Sequence, residues 1–330
     1  MPSSDRIQLD SKIYRSRAAG CLFGLAIGDA FGDAARDPEN QFLYGITMDW
    51  PEKPTFSTDD TEFALLSAEI LIKSNGKPTP EHVLAAWKEH VVVEDELKRG
   101  GGSERDAATN IRRGLKAPET GKFNAYSKSD GAAMRSAPMG IVAAGNPDLA
   151  AEMARVDAEI SHADDGIWGA QAVAAAVAVS MAGGGVDDII AEARRWAPAG
   201  SWFKHSFDTA FGILEEFDYN IERSWMPLHK AIRCEYKASV PEAVVSAFAV
   251  FKLTEGKFKQ GMIHAGNFGR DTDTIGAIVG ALAGASKGIG VIPETWVKNV
   301  QKPHGTCLSF TAEQDLFEVA YKLTELLSIK

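Results

Sequence analysis

Two short segments concentrate oxygen-bearing side chains. One is Ser57-Thr58-Asp59-Asp60-Thr61, and the other is Arg270-Asp271-Thr272-Asp273-Thr274. Each stands at the expected start of a helix, where Ser, Thr and Asp are natural N-caps. A cap needs one such residue, and each segment offers several. Adjacent carboxylates repel, and when buried they must protonate or find a cation. Oxygen ligands with no paired Cys or His suit a hard ion such as Mg²⁺, Mn²⁺ or Ca²⁺. On residue types alone, a metal site and a pair of helix caps both fit.

Competing motifs fail on spacing. An EF-hand loop needs an acid at its fifth position and Glu at its twelfth. Counted from Asp271, those places hold Ile275 and Leu282. A phosphatase-type Asp-x-Asp follows a buried strand, and the stretch from His264 to Arg270 does not read as one. No GxxxxGK[ST], HExxH or GxGxxG occurs.

The elements that must position these acids read as helices. Glu81 to Val93 follows a proline-rich start, and Gly169 to Ala182 is nearly all alanine and valine. Val240 to Leu253 and Ala312 to Ile329 carry apolar residues at three- and four-residue spacing. Alternating strands are hard to find, so the fold is expected to be all-α. Gly100 to Ser103 reads as a flexible link, and Lys122 to Arg135 as a polar loop. No composition shift marks a boundary. One domain over 12–330 is expected, after a frayed terminus over 1–11.

Glycine recurs every fourth residue at Gly20, Gly24, Gly28 and Gly32, and again at Gly276, Gly280, Gly284 and Gly288. That spacing lines one helix face with glycine. Each glycine costs a helix about 1 kcal/mol relative to alanine. The expected return is close approach of a neighbouring backbone, with both helices in the core.

The chain has 330 residues, with Lys+Arg 35 against Asp+Glu 45, so 35 − 45 gives a formal net charge of −10. That balance speaks against nucleic acid as the main partner, because phosphate binding needs a basic face. Cys21, Cys234 and Cys307 are scattered, with neither disulfide nor zinc spacing. A reducing, cytoplasmic setting is expected. Lys12, Arg15 and Arg17 before the apolar Ala18 to Ile27 imitate a signal peptide, but Asp29 and the glycine ladder favour a core helix. No run reads as long enough for a membrane span; Gly276 to Ile292 is broken by Ser286 and Lys287.

The sequence resembles the ADP-ribosylglycohydrolase family from about Tyr14 to the C-terminal region. GCLFGLAIGDAFG resembles the family's opening helix, STDDT its first metal motif and GRDTDTIGAIVGALAGASKG its second. DAATNIRRGL from Asp106, DGAAMRSAPMG from Asp130, and His162 in SHADD also fit. The resemblance implies an orthogonal all-α bundle. It implies two Mg²⁺ ions, with Mn²⁺ as the alternative, held by Thr58, Asp59, Asp60, Asp271, Asp273 and Thr274. Asp29 would support the site from behind. Asp60 and Asp106 would take part in catalysis, and Asp130, Gly131, Ala132, Met134, Arg135 and His162 would bind substrate.

The implied activity is cleavage of a ribosyl C1″ glycosidic bond, with removal of ADP-ribose from a protein or small molecule. Two departures bear on the substrate. Arg36 stands where many members carry a glutamate, with Asp33 and Asp37 out of register, and Asp130 stands where asparagine is common. Another acid then substitutes, or the substrate differs. A nucleosidase acting on a smaller ribosyl substrate and an inactive ADP-ribose-binding protein are the alternatives. Trp202, Phe203 and Trp225 are expected in the core or a cleft wall.

Overall fold

A computed structural model describes residues 11–35, 57–94 and 96–326. Arg36 and Asp37 lie outside the described residues. Among the described residues there is no strand, and a single antiparallel bridge joins Ser129 to Ser239. The fold is all-α. Five helices carry the site: α1 (Ser11–Ala35), α2 (Asp59–Lys73), α3 (Gly102–Arg112), α4 (Gly131–Met134) and α5 (Thr272–Lys287).

The two glycine ladders face each other. A Cβ placed on Gly24 would lie 2.1 Å from the Gly280 carbonyl oxygen, and one on Gly20 would lie 2.4 Å from that of Gly284. The pairs Gly20–Gly284, Gly24–Gly280 and Gly28–Gly276 run in opposite directions, so α1 and α5 are antiparallel. The ladder ends differ, because Gly32 meets Thr272 and Gly288 meets Ser16. Backbone contact at this range replaces the packing that side chains would otherwise supply. It also fixes Asp29, on α1, beside the start of α5.

Around this pair lie apolar helices. Asp165–Ala182 buries Val173, Ala174, Ala175, Ala176 and Val177, and Ala243–Leu253 buries Phe248 and Phe251. The expected helices are present with shifted ends. Pro80–His90 stops three residues early, and Leu316–Glu325 begins after a 3₁₀ turn at Ser309–Glu313. Two expectations at the first helix are corrected. Helix α1 begins at Ser11, within the stretch read as frayed. Ser11–Ala35 and Asp165–Ala182 are long and apolar enough to cross a membrane by length and composition, yet both lie mostly buried inside the protein. Of the aromatics, Phe203 is core, Trp202 is exposed, and Trp225 packs on Phe268 with ring centroids 5.0 Å apart.

Candidate metal centre and active site

Asp29 builds the first half of the site. Its carboxylate accepts the Thr58 amide at 2.9 Å and the Thr58 hydroxyl at 2.6 Å. It also accepts the amide and hydroxyl of Thr61. Asp29 thus caps α2 from another helix, and Thr58, at the N-cap position, makes no cap bond with its own side chain. Burial pushes the Asp29 carboxyl up to about 6, against the hydrogen bonds from Thr58 and Thr61 that pull it down.

The second half follows the same logic. Asp271 holds the N-cap position of α5 and makes no side-chain cap bond. The Thr272 hydroxyl donates to the Gly32 carbonyl at 2.7 Å, which pins this turn to the end of α1. Arg270 pairs with buried Glu242 and donates to the Cys234 carbonyl, so the segment after Cys234 is held against the turn. The cap-only reading of both motifs therefore fails on geometry.

The halves meet. Carboxylate oxygens of Asp59, Asp60 and Asp273 lie within 4.8 Å of one another, and all three residues are buried. They line a cavity of about 260 Å³ together with Asp130, Asp271, Thr274, Glu104, Ser103 and Ser129. Burial, then the charges of Asp273, Asp29, Asp59 and Asp130, pushes the Asp60 carboxyl well above the usual range. Asp130 is raised in the same way, by burial and then by Asp271. Asp60 Oδ1 and Asp130 Oδ2 are buried with no hydrogen-bond partner. Orphaned acceptors among like charges are what a hard cation would satisfy, so the residues fit the implied ions. A second group, Glu69, Glu89 and His90, is partly exposed and already carries Lys73 on both glutamates.

The remaining expected residues divide. Gly131 and Met134 line the cavity, on α4. Ala132 is buried outside the lining. Arg135 and His162 lie behind the wall, fully buried. Arg135 donates to Asp157 at 2.7 Å and to the Gly131 carbonyl at 2.9 Å, so it holds the loop and does not reach the cavity. Burial and the nearby Arg135 charge hold the His162 imidazole well below its ordinary value.

Asp106 is the clearest departure. It is half-exposed and accepts the Ala125 amide at 2.7 Å, outside the cavity lining. Two residues along a helix turn the side chain by about 200°. Glu104, two positions earlier on α3, is therefore the acid that faces the cavity, and it is fully buried. Tyr236 and Lys237 also enter the lining. The Ser129–Ser239 bridge brings them there, with the Asp130 amide donating to the Ala238 carbonyl at 3.1 Å. Lys237 Nζ stands 3.3 Å from Asp271 Oδ1.

Fold and site together define an all-α protein whose core closes on a buried, oxygen-only acidic centre. A family profile described as ADP-ribosylglycohydrolase matches residues 10–326. The chain belongs to the ADP-ribosylglycohydrolase family and is a hydrolase of glycosidic bonds. An uncharacterized protein of Archaeoglobus fulgidus is 31% identical to it over 93% of this chain and 95% of the relative. The ADP-ribosylarginine hydrolase Tri1 of Pseudomonas putida is 26% identical, covering 94% and 80%. The ADP-ribosyl-[dinitrogen reductase] glycohydrolase of Rhodospirillum rubrum is 25% identical, covering 86% and 90%. A solved structure titled ADP-ribosylglycohydrolase-related protein complex shares the fold, with a TM-score of 0.65 at 24% identity over 96% of this chain and 99% of that one.

Proposed function

We propose that the protein is a divalent-metal-dependent glycohydrolase that cleaves the ribosyl C1″ bond of an ADP-ribosyl group on a protein or small molecule. The carrying observation is the buried meeting of Asp59, Asp60 and Asp273 from the two separate motifs. Asp59, Asp60, Asp271, Asp273 and Thr274 would hold two Mg²⁺ or Mn²⁺ ions. Thr58 belongs with them, since its hydroxyl proton goes to Asp29 and its oxygen keeps lone pairs. When bound, such ions polarise ribose hydroxyls and lower the pKa of a water.

The chain's own residues do the rest. Asp29 fixes the turn that presents Asp59 and Asp60. Asp130 and Asp271 offer acceptors to ribose hydroxyls. The cluster of negative charge stabilises the oxocarbenium-like state in which C1″ becomes positive. Hydrolysis of a panel of ADP-ribosyl conjugates should be abolished by EDTA and restored by Mg²⁺ or Mn²⁺. Turnover that ignores the chelator would refute the metal assignment.

A second reading has its own support. Asp130 adds a carboxylate to a cavity already lined by Asp59, Asp60, Asp271 and Asp273, which disfavours a pyrophosphate. That favours a smaller ribosyl substrate, such as a nucleoside. Competitive inhibition of nucleoside cleavage by free ADP-ribose would count against it.

A further inference from the structure

Glu104 is fully buried, and its two oxygens have different surroundings. Oε2 accepts the Ser103 hydroxyl at 2.8 Å. Oε1 has no hydrogen-bond partner, and the nearest cation, Arg135 Nη1, is 3.5 Å away. The carboxylate lies between two glycines. A Cβ on Gly131 would fall 2.3 Å from Oε1, and one on Gly101 would fall 2.5 Å from Oε2. Any side chain at either position would strike the carboxylate.

Behind Ser103 runs a buried chain of hydrogen bonds. Ser129 Oγ is 3.0 Å from Ser103 Oγ and 2.9 Å from His162 Nε2. His162 Nδ1 is 2.7 Å from Ser161 Oγ, which accepts Arg135 Nη2 at 2.9 Å. Proton bookkeeping gives this chain a direction. A carboxylate accepts, so Ser103 donates to Glu104. The Ser103 oxygen then accepts from Ser129, whose proton is spent. His162 must therefore carry its proton on Nε2 and accept at Nδ1 from Ser161. Arg135 can only donate, and does so to Ser161. Every donor points toward Glu104, and bonds aligned in series polarise one another.

We infer that Glu104 is a further acceptor of the site, aimed at an O–H of the substrate or of its attacking water by a one-way relay that begins at Arg135. His162, Ser161, Ser129 and Ser103 are positioning residues in it. His162 then acts on the site without touching the cavity. This rests on the hydrolase reading above for its catalytic consequence, while the relay itself is testable without turnover.

The relay is read by ¹⁵N NMR of His162 in the whole protein. The neutral Nε2–H tautomer is expected, and the Nδ1–H tautomer would overturn the direction. That result stands even if the wild type hydrolyses no ADP-ribosyl conjugate, an outcome that would refute the proposed function instead. In the active enzyme, Glu104→Gln should lower turnover about 100-fold. A loss in kcat assigns the partner as the water, and a rise in KM assigns it as a ribosyl hydroxyl. His162→Leu should lower kcat about tenfold with KM unchanged, and His162→Gln, which keeps an N–H donor, should recover most of it. Equal kcat in the Leu and Gln variants would overturn the relay, as would a near-normal Glu104→Gln. Recovery of Glu104→Gln by excess Mg²⁺ would make Glu104 a metal ligand and overturn the O–H assignment.

Discussion

Gly28 on α1 and Gly276 on α5 meet so closely that a Cβ on Gly28 would lie 2.0 Å from the Gly276 carbonyl oxygen. Asp29 is the next residue on α1, and Asp273 lies three residues before Gly276. This close backbone contact of the core and the two halves of the site are thus one piece of structure. Any shift that separates the helices also separates Asp29 and Asp60 from Asp273.

Gly28→Ala should therefore cost about 3 kcal/mol of stability, because a backbone cannot move aside as a side-chain tip can. Gly212→Ala is the matched control. Gly212 lies within the helix Trp202–Glu216, with nothing within 4 Å of its added Cβ. That change should stabilise by about 0.5–1 kcal/mol. Urea denaturation of both variants checks the pair. A Gly28→Ala protein as stable as wild type would disprove backbone-on-backbone packing.

Asp60→Asn should move stability and activity in opposite directions. Its carboxyl is raised by burial and by Asp273, Asp29, Asp59 and Asp130, so removing the charge relieves the metal-free protein. Its melting temperature in EDTA should rise above that of wild type. The further rise on adding Mg²⁺ should shrink or vanish, and turnover should fall about 100-fold. Thermal melts with and without the ion measure all but the last. An unchanged Mg²⁺ shift would remove Asp60 from the ligand set.

The two acidic motifs and the glycine ladders were legible because their information is local. Spacing of four puts glycines on one face whatever surrounds them. Asp106 against Glu104 was not legible, because the choice depends on the rotational phase of α3, and its short sequence has acids on both faces. Tyr236 and Lys237 gave no signal either. They reach the cavity through a bridge between Ser129 and Ser239, a pairing that no local pattern encodes. Arg135 and His162 belong to stretches that resemble family motifs, yet both side chains turn behind the wall. A motif places a residue near a site, and only packing decides whether it faces it.

Glu62 should prove a structural anchor for the site. Its buried carboxylate accepts the Ser57 hydroxyl at 2.7 Å and the amides of Thr306, Cys307 and Leu308 at 2.9, 2.8 and 2.7 Å. It ties a segment near the C-terminus to the start of α2. Glu62→Ala orphans three amides and should cost about 3 kcal/mol or more, with faster proteolysis near residues 302–310. Unchanged proteolysis and unfolding would show that the segment is held by other contacts.

His162 predicts a pH signature whose sign is fixed by its surroundings. Burial, then the Arg135 charge, holds its folded value well below the ordinary one. Below about pH 6.5 the unfolded chain takes up a proton at this position that the folded protein refuses. The stability associated with neutral His162 is therefore present above that pH and lost as pH falls, with a limiting slope of about 1.4 kcal/mol per pH unit. The raised carboxyls of Asp60 and Asp130 act in the opposite direction, since they favour the folded state as pH falls. A comparison with His162→Gln cancels them, because both proteins carry them. The stability gap between wild type and His162→Gln should narrow steadily from pH 7.5 to pH 5 in urea titrations. A gap that stays constant over that range would mean that His162 is protonated as readily in the folded protein as in the unfolded chain, and the buried neutral imidazole would have to be abandoned.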